Sequence, residues 1–303
     1  MRQVRVVAKT KQAEDVVSFE FGGDDLPPWE PGAHIDVEIR PGVSRQYSLC
    51  GDPADRGRWR IGVLREEPGR GGSRALHDEV DTGATLRVGD PRNNFPLVRA
   101  ERYTFVAGGI GITPLIPMVR QAQAAGADWV LYYGGRRRER MAFTSELTEF
   151  GDRVRILPED ECGLLPLGEI LADGDHPVYC CGPEPLLAAV EGECAPGRLR
   201  VERFHPRADA LAGPATEFEV VAAVTGTTVR VGAAESILDV LDGAGVPMPS
   251  SCREGTCGTC ETTVVDGEVD HRDSVLTEEE RAAGKTMMVC VSRARSERLV
   301  LDV

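Results

Sequence analysis

What this sequence lacks excludes several classes of protein. No uninterrupted apolar run reaches the roughly 18 residues that a membrane-spanning helix needs, so we expect no membrane-embedded segment. Basic residues are scarce, with 35 lysines and arginines against 49 acidic residues, and the formal net charge is −14. Because binding to phosphate backbones requires clustered basic residues, nucleic acid is not an expected partner. The acidic excess favours either simple solubility or docking against a basic protein face.

The N-terminal segment also lacks the apolar core of a secretion signal. MRQVRVVAKTKQAED has polar residues every two or three positions, and we therefore expect a cytoplasmic protein. Nine cysteines in a reducing compartment do not predict a disulfide framework, because cytosolic reductants keep thiols free. Metal binding or redox chemistry is the better explanation for them.

Four of the cysteines have the spacing of an iron-sulfur site. The metal ligands that we predict are Cys252, Cys257, Cys260 and Cys290. They follow the pattern C-x4-C-x2-C, with the fourth cysteine after a longer gap, which is the spacing that holds a plant-type 2Fe-2S cluster. Gly255 and Gly258 let the backbone bend closely around such a cluster and aim N–H groups at its sulfurs. Four thiolates also bind zinc, although zinc sites usually pair two short cysteine knuckles.

Changes of pattern along the chain predict three domains and a linker. Residues 1–98 contain short β-rich runs between Gly and Pro turns, typical of an antiparallel barrel or sandwich. Residues 99–204 alternate strand and helix patterns, which predicts a parallel α/β sheet. The second of these domains includes a helical stretch, EPLLAAVEGE. Residues 205–216 lack apolar periodicity and are predicted to be a linker, and residues 217–303 have the pattern of a compact mixed α+β unit. In this unit we expect a hairpin of FEVVAAVTG and TTVRVGA, a polar helix TEEERAAG and a strand MMVCVSRA. The predicted fold class is therefore multidomain, α+β and α/β.

The stretch VAGGIGITPL follows a predicted strand and is typical of a phosphate-binding turn. Gly108, Gly109 and Gly111 allow a tight turn and a close backbone approach. Thr113 is expected to cap the following helix and Pro114 to be its first residue, so that the helix N-terminus can hold a pyrophosphate. The spacing is not that of the G-x-G-x-x-G fingerprint, and an ordinary strand-to-helix turn remains an alternative.

Two stretches in the first domain indicate a second phosphate site. In RQYSL, Arg45 and Tyr47 fall on one side of a regular strand, and Gln46 and Ser48 fall on the other. Arginine suits a phosphate and tyrosine offers a stacking surface, although an ordinary barrel strand has the same pattern. GRGGSRALHD supplies glycines and a helix start, which is typical of an anion-binding turn. The residues of this turn are Gly69, Gly71, Gly72 and Ser73.

In this order along the chain, the motifs resemble the phthalate dioxygenase reductase family, the one-chain reductases of Rieske-type oxygenases. The resemblance covers essentially the entire chain and includes YCCGPEPLL as a second nicotinamide-side motif. It implies a flavin-binding barrel, a nucleotide domain of the ferredoxin reductase type and a C-terminal β-grasp domain of the plant-type ferredoxin fold. The cofactors that it implies are NADH, a 2Fe-2S cluster and a flavin, expected to be FMN rather than FAD.

The resemblance also implies roles for individual residues. Arg45 would pair with the flavin phosphate, Tyr47 would pack on the isoalloxazine ring, and Ser48 would hydrogen-bond near the reactive N5. Ser48 and Cys181 are the expected catalytic residues, with Thr113 and Cys181 beside the nicotinamide. The other cofactor contacts that it implies are Gln46, Gly71, Gly72, Ser73, Gly108, Gly109, Gly111, Arg136, Gly182, Pro183 and Phe204.

Nucleotide preference and electron acceptor follow from the same resemblance. Arginines after the strand WVLYYGG could hold a 2′-phosphate, whereas the family generally uses NADH, so NADH is expected and NADPH is the alternative. Electrons would pass from NADH through the flavin and the cluster to a Rieske-type terminal oxygenase. A haem monooxygenase is the alternative acceptor, and a non-catalytic electron carrier or redox-sensing subunit is the alternative function. A monomer is expected.

Overall fold

The computed structural model describes residues 1–23, 25–67, 71–195, 197–207, 213 and 216–303. The chain divides into two compact units, Met1–Glu202 and Arg203–Val303. Among the described residues, no helix is both long enough and apolar enough to cross a membrane.

The first unit combines a strand-rich part with a part in which strands and helices alternate. Its strands are β1 (Arg2–Ala13), β2 (Val16–Gly22), β3 (Ala33–Arg40), β4 (Val43–Ser48), β5 (Arg58–Leu64), β6 (Thr85–Val88), β7 (Arg92–Asn93), β8 (Arg102–Gly108), β9 (Asp128–Gly135), β10 (Val154–Pro158), β11 (Val178–Cys181) and β12 (Leu199–Glu202). Its α-helices are α1 (Gly72–Glu79), α2 (Ile112–Ala124), α3 (Thr144–Leu147), α4 (Glu159–Cys162), α5 (Leu167–Leu171) and α6 (Glu184–Glu193). Short 3-10 helices cover Gly109–Gly111, Arg138–Arg140 and Thr148–Arg153.

Strands β1 to β7 form one antiparallel sheet in the order β4-β3-β6-β1-β2-β5, with β7 paired to β3. Its two edges meet, because Leu49 after β4 bridges to Ile61 of β5 and the Cys50 N–H donates to the Arg60 carbonyl at 2.8 Å. Val4 and Val6 of β1 are buried and the residues on either side of each are not, because successive side chains point to opposite faces of a strand. The predicted antiparallel barrel is confirmed.

Strands β8 to β12 form a second, entirely parallel sheet in the order β10-β9-β8-β11-β12. Phe105, Val106 and Ala107 of β8 are consecutive and fully buried, as expected for a parallel sheet that is covered on both faces. The direction of winding reverses between β8 and β11. Ligands of open α/β sheets bind outside the carboxyl ends of the strands at such a point, and the predicted α/β arrangement is confirmed.

The start of α2 differs from the prediction. Thr113 does not cap the helix, because α2 begins at Ile112 with Gly111 as its N-cap, directly after the 3-10 turn that includes Gly109 at a φ of 54°. Thr113 is the second helical residue and donates its hydroxyl to the Ile110 carbonyl at 2.9 Å. The glycines wind the chain into a helical turn before the threonine is reached. Pro114, in the first turn of α2, costs no intrahelical hydrogen bond, because the first N–H groups of a helix have no partner within the helix.

The second unit is a small mixed α+β unit. Its strands are β13 (Phe218–Ala222), β14 (Thr227–Val231), β15 (Glu261–Asp266), β16 (Val269–Asp270), β17 (Thr286–Met288), β18 (Arg293–Ala294) and β19 (Arg298–Leu301). Its helices are α7 (Ile237–Gly243) and α8 (Glu278–Ala283). The main sheet has the order β14-β13-β19-β15-β17, in which β13 and β19 run parallel. Ile237, Leu238 and Leu241 of α7 join the core of this sheet, and the predicted β-grasp domain is confirmed.

Two local predictions for this unit have different outcomes. The polar helix TEEERAAG is present as α8, and it begins with a capping box between Thr277 and Glu280. The predicted strand MMVCVSRA is interrupted, because β17 ends at Met288 and the chain returns to a strand only at β18, Arg293–Ala294. The N–H groups of Val291 and Ser292 bond back to the Met288 carbonyl at 3.2 and 3.0 Å, so the chain turns instead of continuing the ladder.

The predicted linker, residues 205–216, is described only in part, and residues 208–212, 214 and 215 lie outside the described residues. The Arg207 N–H donates to Ser274 Oγ at 3.2 Å. The Thr216 carbonyl accepts from the Arg293 guanidinium at 2.9 Å. Both described ends of this segment are therefore attached to the second unit.

Candidate active site and cysteine cluster

Arg45 on β4 lies against the N-terminus of α1. A Cβ placed on Gly72 would be 3.0 Å from Cγ and 3.2 Å from Nε of Arg45. Gly71 precedes the helix with a φ of 80°, a conformation that favours glycine. A helix N-terminus offers N–H groups and a partial positive charge, and the guanidinium adds a full charge, so the arrangement fits a phosphate. Gly69, also predicted for this turn, lies outside the described residues.

Helix α1 is held at both of its ends. Lys9 Nζ donates to the carbonyls of His77 and Val80 at 2.7 Å each, where a cation complements the C-terminal end of the helix dipole. At the other end, Ser73 Oγ accepts from the N–H of Glu66 at 3.1 Å. The N-terminal end of α1 is thereby fixed relative to the barrel.

The remaining residues of the RQYSL motif take up three different environments. Tyr47 is partly buried against the barrel core, and this burial raises the pKa of its hydroxyl group. Gln46 donates from Nε2 to the Asp36 carboxylate of β3 at 2.5 Å. Ser48 is buried at the end of β4, with 5% of its surface exposed. Gln46 is therefore engaged with its neighbouring strand, while Tyr47 and Ser48 are enclosed partly or wholly by their surroundings.

The turns at Gly108–Gly111 and Cys181–Pro183, predicted to face the nicotinamide, pack against each other at the carboxyl ends of β8 and β11. A Cβ on Gly111 would overlap the carbonyl of Cys181, and a Cβ on Gly108 would lie 2.6 Å from Cδ of Pro183. A Cβ on Gly182 would lie 3.0 Å from the Cα of Gly108. No side chain fits at these contacts, so the glycines allow the two turns to approach backbone to backbone. The structure thus brings both motifs together where the winding of the sheet reverses.

A carboxyl group that the sequence analysis missed joins Ser48 and Cys181. Ser48 Oγ donates to Glu202 Oε2 at 3.4 Å, and Glu202 is the Cα partner of Cys181 in the β11–β12 ladder. Burial raises the pKa of Glu202 to about 8, so its carboxyl group is mostly protonated at neutral pH. Burial, with Glu202 beside it, also raises the pKa of the Cys181 thiol. The three groups form an uncharged cluster in which the thiol is not activated as a nucleophile.

Sequence reasoning had little chance of finding Glu202. The residue ends β12 in the segment VERFHP, from which only Phe204 was singled out. An acidic residue at a strand end is ordinarily solvated, and its partner Ser48 is 154 positions away in sequence. Phe204 is partly buried and belongs to the second unit.

Three of the arginines that follow β9 are bound to acidic side chains. These pairs are Arg137–Glu14, Arg138–Glu161 and Arg140–Glu14, with N···O distances of 3.2, 2.7 and 2.9 Å. Arg136, the predicted cofactor contact, is exposed directly after the strand. Among the arginines of residues 136–140, Arg136 forms no ion pair with an acidic side chain of the described residues.

The four predicted cluster ligands converge in the second unit. Their exposed fractions are 6% for Cys252, 3% for Cys257, 4% for Cys260 and 8% for Cys290. Cys252 is in hydrogen-bond contact with Cys257 and Cys290, and Cys260 is in contact with Cys290. Hydrogen bonds among these thiols lower the pKa of Cys252 and raise the pKa of Cys257 and of Cys290, as expected for sulfurs held close to one another.

The backbone around these sulfurs is shaped by the glycines that the sequence indicated. Gly255 and Gly258 both have a φ of 71°, which favours glycine. A Cβ on Gly255 would lie 2.6 Å from Cγ2 of Val291, so the loop packs too closely for a side chain there. The Glu254 N–H donates to the sulfur of Cys252 at 3.3 Å. Donors aimed at sulfur fit a group whose added electron increases the negative charge on its sulfurs.

Geometry alone does not assign these thiols to zinc. No group of three or more His, Cys, Asp or Glu side chains within the described ranges is arranged around a single metal ion. Four sulfurs that come from one loop and one distant turn suit a cluster of two irons, which spreads its ligands over more than one metal.

Family models match two parts of the chain. Residues 222–295 match a 2Fe-2S iron-sulfur cluster binding domain, which contains all four converging cysteines. Residues 105–192 match an oxidoreductase NAD-binding domain, which contains both glycine turns. The prediction of a 2Fe-2S site over a zinc site is confirmed, and the glycine turns belong to a nucleotide-binding domain.

Similar proteins match the chain over its full length. Phthalate dioxygenase reductase of Burkholderia cepacia is 42% identical over 316 residues, which are 99% of this chain and 97% of the relative. A solved phthalate dioxygenase reductase, described as a modular structure for electron transfer from pyridine nucleotides to 2Fe-2S, has a TM-score of 0.72 at 40% identity over 100% of this chain and 98% of its own. An intact type IV self-sufficient cytochrome P450 monooxygenase has a TM-score of 0.91 at 45% identity over 100% of this chain, which spans 41% of the P450 chain.

Proposed function

The chain belongs to the phthalate dioxygenase reductase family and is an oxidoreductase, and we propose that it passes electrons from NADH through FMN and its 2Fe-2S cluster to a terminal oxygenase. Its homologues are reductase components of oxygenase systems, with FMN and 2Fe-2S as their cofactors. The observation that carries the proposal is the contact between Ser48 and Glu202 at 3.4 Å. Glu202 is the ladder partner of Cys181, so this contact links the predicted flavin strand to the strand beside a predicted nicotinamide motif, and both halves of a hydride transfer would meet there.

We assign the flavin to residues 1–98, the nicotinamide nucleotide to residues 99–204, the linker to 205–216 and the cluster to 217–303. The closed antiparallel barrel, the parallel sheet and the mixed sheet fall within these ranges. Limited proteolysis tests the boundaries, and the expected first cleavage lies within the linker.

The flavin is proposed to be FMN. The N-terminus of α1, with Gly71, Gly72 and Ser73, and the guanidinium of Arg45 form one compact cradle that suits a single phosphate. Tyr47 would pack on the ring, and Ser48 would lie beside its reactive edge. Flavin released by heat is expected to elute as FMN on chromatography, and release of FAD would contradict the assignment.

The residues around Ser48 would orient hydride transfer rather than take part in acid-base catalysis. A nicotinamide gives up two electrons together and a 2Fe-2S cluster accepts one at a time, and a flavin can exchange with both. Thr113 and Cys181 border the place where the two turns meet, and Ser48 borders it from the barrel side. The uncharged state of Cys181 and Glu202 keeps negative charge away from an incoming hydride.

The acidic partners of the arginines favour NADH over NADPH. Glu161 engages Arg138 through two hydrogen bonds of 3.0 and 2.7 Å, and Glu14 engages the arginines on either side of it. A 2′-phosphate would have to compete with these carboxylates for the guanidinium groups. Arg136 is left to contact the phosphates that NADH and NADPH share.

A terminal oxygenase is the electron acceptor of the homologues, and we propose that the partner of this chain is of the Rieske non-haem iron type. The alternative acceptor, a haem monooxygenase, is favoured by one specific observation. At 45% identity, the self-sufficient cytochrome P450 carries a reductase portion as similar to this chain as the separate reductase is. Turnover with a purified Rieske oxygenase and with a purified P450, each supplied with NADH and its own substrate, distinguishes the two. We also retain the expectations of a cytoplasmic, monomeric protein, and gel filtration tests the latter.

An anaerobic titration of the purified full chain with NADH tests the proposed order of electron transfer, from NADH to FMN to the cluster. Complete reduction of FMN and cluster takes three electrons, so about 1.5 NADH per chain is the expected end point, with bleaching of both chromophores. NADPH in a parallel titration is expected to reduce the protein at least about tenfold more slowly. A cluster that stays oxidised while bound flavin is reduced would contradict the order of electron flow.

A further inference from the structure

Strand β5 of the barrel packs directly on helix α2 of the parallel sheet. A Cβ placed on Gly62 would lie 2.8 Å from Cγ2 of Thr113 and 3.1 Å from two ring atoms of Phe143. Real Cβ atoms essentially never approach a carbon at 2.8 Å, so only glycine permits the present spacing. Thr113, the predicted nicotinamide contact, therefore lies closer to β5 than a side chain at position 62 would allow.

A partly buried charge bridge spans the same interface. The Arg60 guanidinium donates two hydrogen bonds of 2.8 Å to the Glu146 carboxylate, and Arg120 Nη2 donates to it at 2.7 Å. The side chains of Arg60 and Glu146 are each 18% exposed. Although burial alone would raise the pKa of Glu146, the two arginines hold it below its ordinary value. Because the planar guanidinium of Arg60 bonds to both oxygens of the Glu146 carboxylate, the pair fixes the relative orientation of the two side chains as well as neutralising their charges.

On the barrel side, this bridge is tied to the flavin strand. Arg60 also donates from Nη2 to the carbonyl of Cys50 at 2.6 Å, and the Cys50 N–H donates back to the Arg60 carbonyl at 2.8 Å. Cys50 is two residues beyond Ser48, and the intervening Leu49 bridges to Ile61. Arg60 is thereby hydrogen-bonded to the chain two residues beyond Ser48.

On the sheet side, the bridge is tied to the nicotinamide turn. Arg120 follows Thr113 by seven residues in α2, so the two lie on the same face of the helix, two turns apart. Gly62 and Arg60 are two residues apart on β5 and share a face of the strand. The close contact and the charge bridge therefore join the same face of the strand to the same face of the helix.

Phe143 completes the interface in a strained conformation. Its φ is 62°, which is unfavourable for a bulky residue, and its ring lies beneath the Arg60 guanidinium at 5.2 Å. Such strain persists only where the surroundings enforce it. The interface is thus held more rigidly than the packing of two elements alone would require.

We propose that Gly62 and the Arg60–Glu146–Arg120 bridge together set the distance between the flavin strand and the nicotinamide turn, and that they are positioning residues for hydride transfer. This rests on the proposed function, because it takes the flavin to bind at Ser48 and the nicotinamide at Thr113. Hydride transfer needs the reacting atoms within about 3–3.5 Å, and a misplacement of about 1 Å can cost about a hundredfold in rate. An extra methyl group at Gly62 would impose a displacement of that order.

The test follows flavin reduction by NADH in the stopped flow with the full holoprotein. Gly62→Ala is expected to lower the rate at saturating NADH about a hundredfold, and to change the NADH dissociation constant by less than about threefold. The long-wavelength absorbance of a stacked nicotinamide–flavin pair should weaken in parallel. Flavin content and the unfolding temperature, measured on the same samples, establish that the variant is folded and loaded.

Rescue separates positioning from general damage. Combining Gly62→Ala with Thr113→Ser removes the methyl group that the new Cβ would strike, and should restore the rate at least tenfold relative to Gly62→Ala alone. Thr113→Ser alone is the reference for this comparison, because Thr113 is itself a predicted nicotinamide contact. Recovery reflects positioning where Gly62→Ala already has the flavin content and unfolding temperature of the wild type. If the double variant stays as slow as Gly62→Ala, the proposed distance effect is wrong.

Glu146→Gln provides a second, independent variant should Gly62→Ala fail to fold. Loss of the carboxylate charge loosens both arginines, and we expect a fall in reduction rate of about tenfold or more, with a weaker stacking absorbance. Glu20→Gln is the matched control, because Glu20 pairs with Arg58 of the same strand at 2.9 Å but within the barrel. Wild-type rates and absorbance in Glu146→Gln would overturn the proposal. Failure of NADH to reduce the wild-type protein would instead contradict the proposed function.

Discussion

The carboxyl group of Glu202 lies between two groups that do not neutralise a charge on it. Ser48 offers a hydroxyl group at 3.4 Å, and Cys181 offers a thiol whose own pKa is raised by burial. With a pKa of about 8, the carboxyl group remains protonated over most of the physiological range. The folded protein therefore binds a proton here that the unfolded chain, with an ordinary carboxyl pKa, gives up.

This difference predicts a pH-dependent contribution to stability. Because the folded-state pKa is raised, the free energy of unfolding should fall as pH rises from about 4.5 to about 8 and should not change further above that on account of this group. Partial solvent access reduces the effect to about 2 kcal/mol. Urea unfolding at several pH values should show this slope in the wild type and lose it in Glu202→Gln. Glu193→Gln, at the exposed end of α6, is the control, and an unchanged slope in Glu202→Gln would refute the argument.

At the scale of elements, the sequence predicts type and order better than it predicts ends. Periodicity and turn residues correctly predict the barrel, the parallel sheet, the hairpin of β13 and β14, and the helices α6 and α8. The start of α2 is accompanied by a side-chain bond from Thr113 to the Ile110 carbonyl, and the end of β17 by backbone bonds to the Met288 carbonyl, and the periodicity of the sequence does not predict either one. The cysteine ligands are predictable because their spacing is local, whereas Glu202 depends on a contact across 154 positions.

Helix α1 allows a test of whether a change at one end of a helix affects binding at its other end. Replacing Lys9 with Met leaves the carbonyls of His77 and Val80 without their cation and loosens the C-terminal end of the helix. We expect the helix to lose about 1–2 kcal/mol of stabilisation. Because FMN is proposed to bind at the N-terminal end of the same helix, FMN binding should weaken roughly five- to thirtyfold. Fluorescence titration of the flavin-free protein measures this. Lys11→Met, on the same strand, should bind FMN like the wild type, and equal losses in both variants would show a non-specific effect.

At the scale of the whole molecule, the charge is unevenly distributed. Residues 217–303 contain 16 acidic and 8 basic residues, so this part of the chain carries over half of the net charge of −14. Several of these carboxylates are committed to local pairs, such as Asp239 with Arg253. Glu278 and Glu279 of α8, by contrast, are exposed. A negative field around the cluster would attract a partner with a basic face and would be screened by salt.

Electron delivery to a basic acceptor should therefore slow as ionic strength rises. With cytochrome c as a basic one-electron acceptor, we expect NADH-driven reduction to fall at least about tenfold between 0.02 M and 0.5 M salt, because the Debye length shrinks from about 20 Å to about 4 Å. The variant Glu278→Gln/Glu279→Gln should show a shallower salt dependence with an unchanged rate of flavin reduction. Ferricyanide, a small anion, serves as the control acceptor and should not lose rate with salt. A cytochrome c rate that is insensitive to salt would show that the acidic excess maintains solubility and does not steer docking.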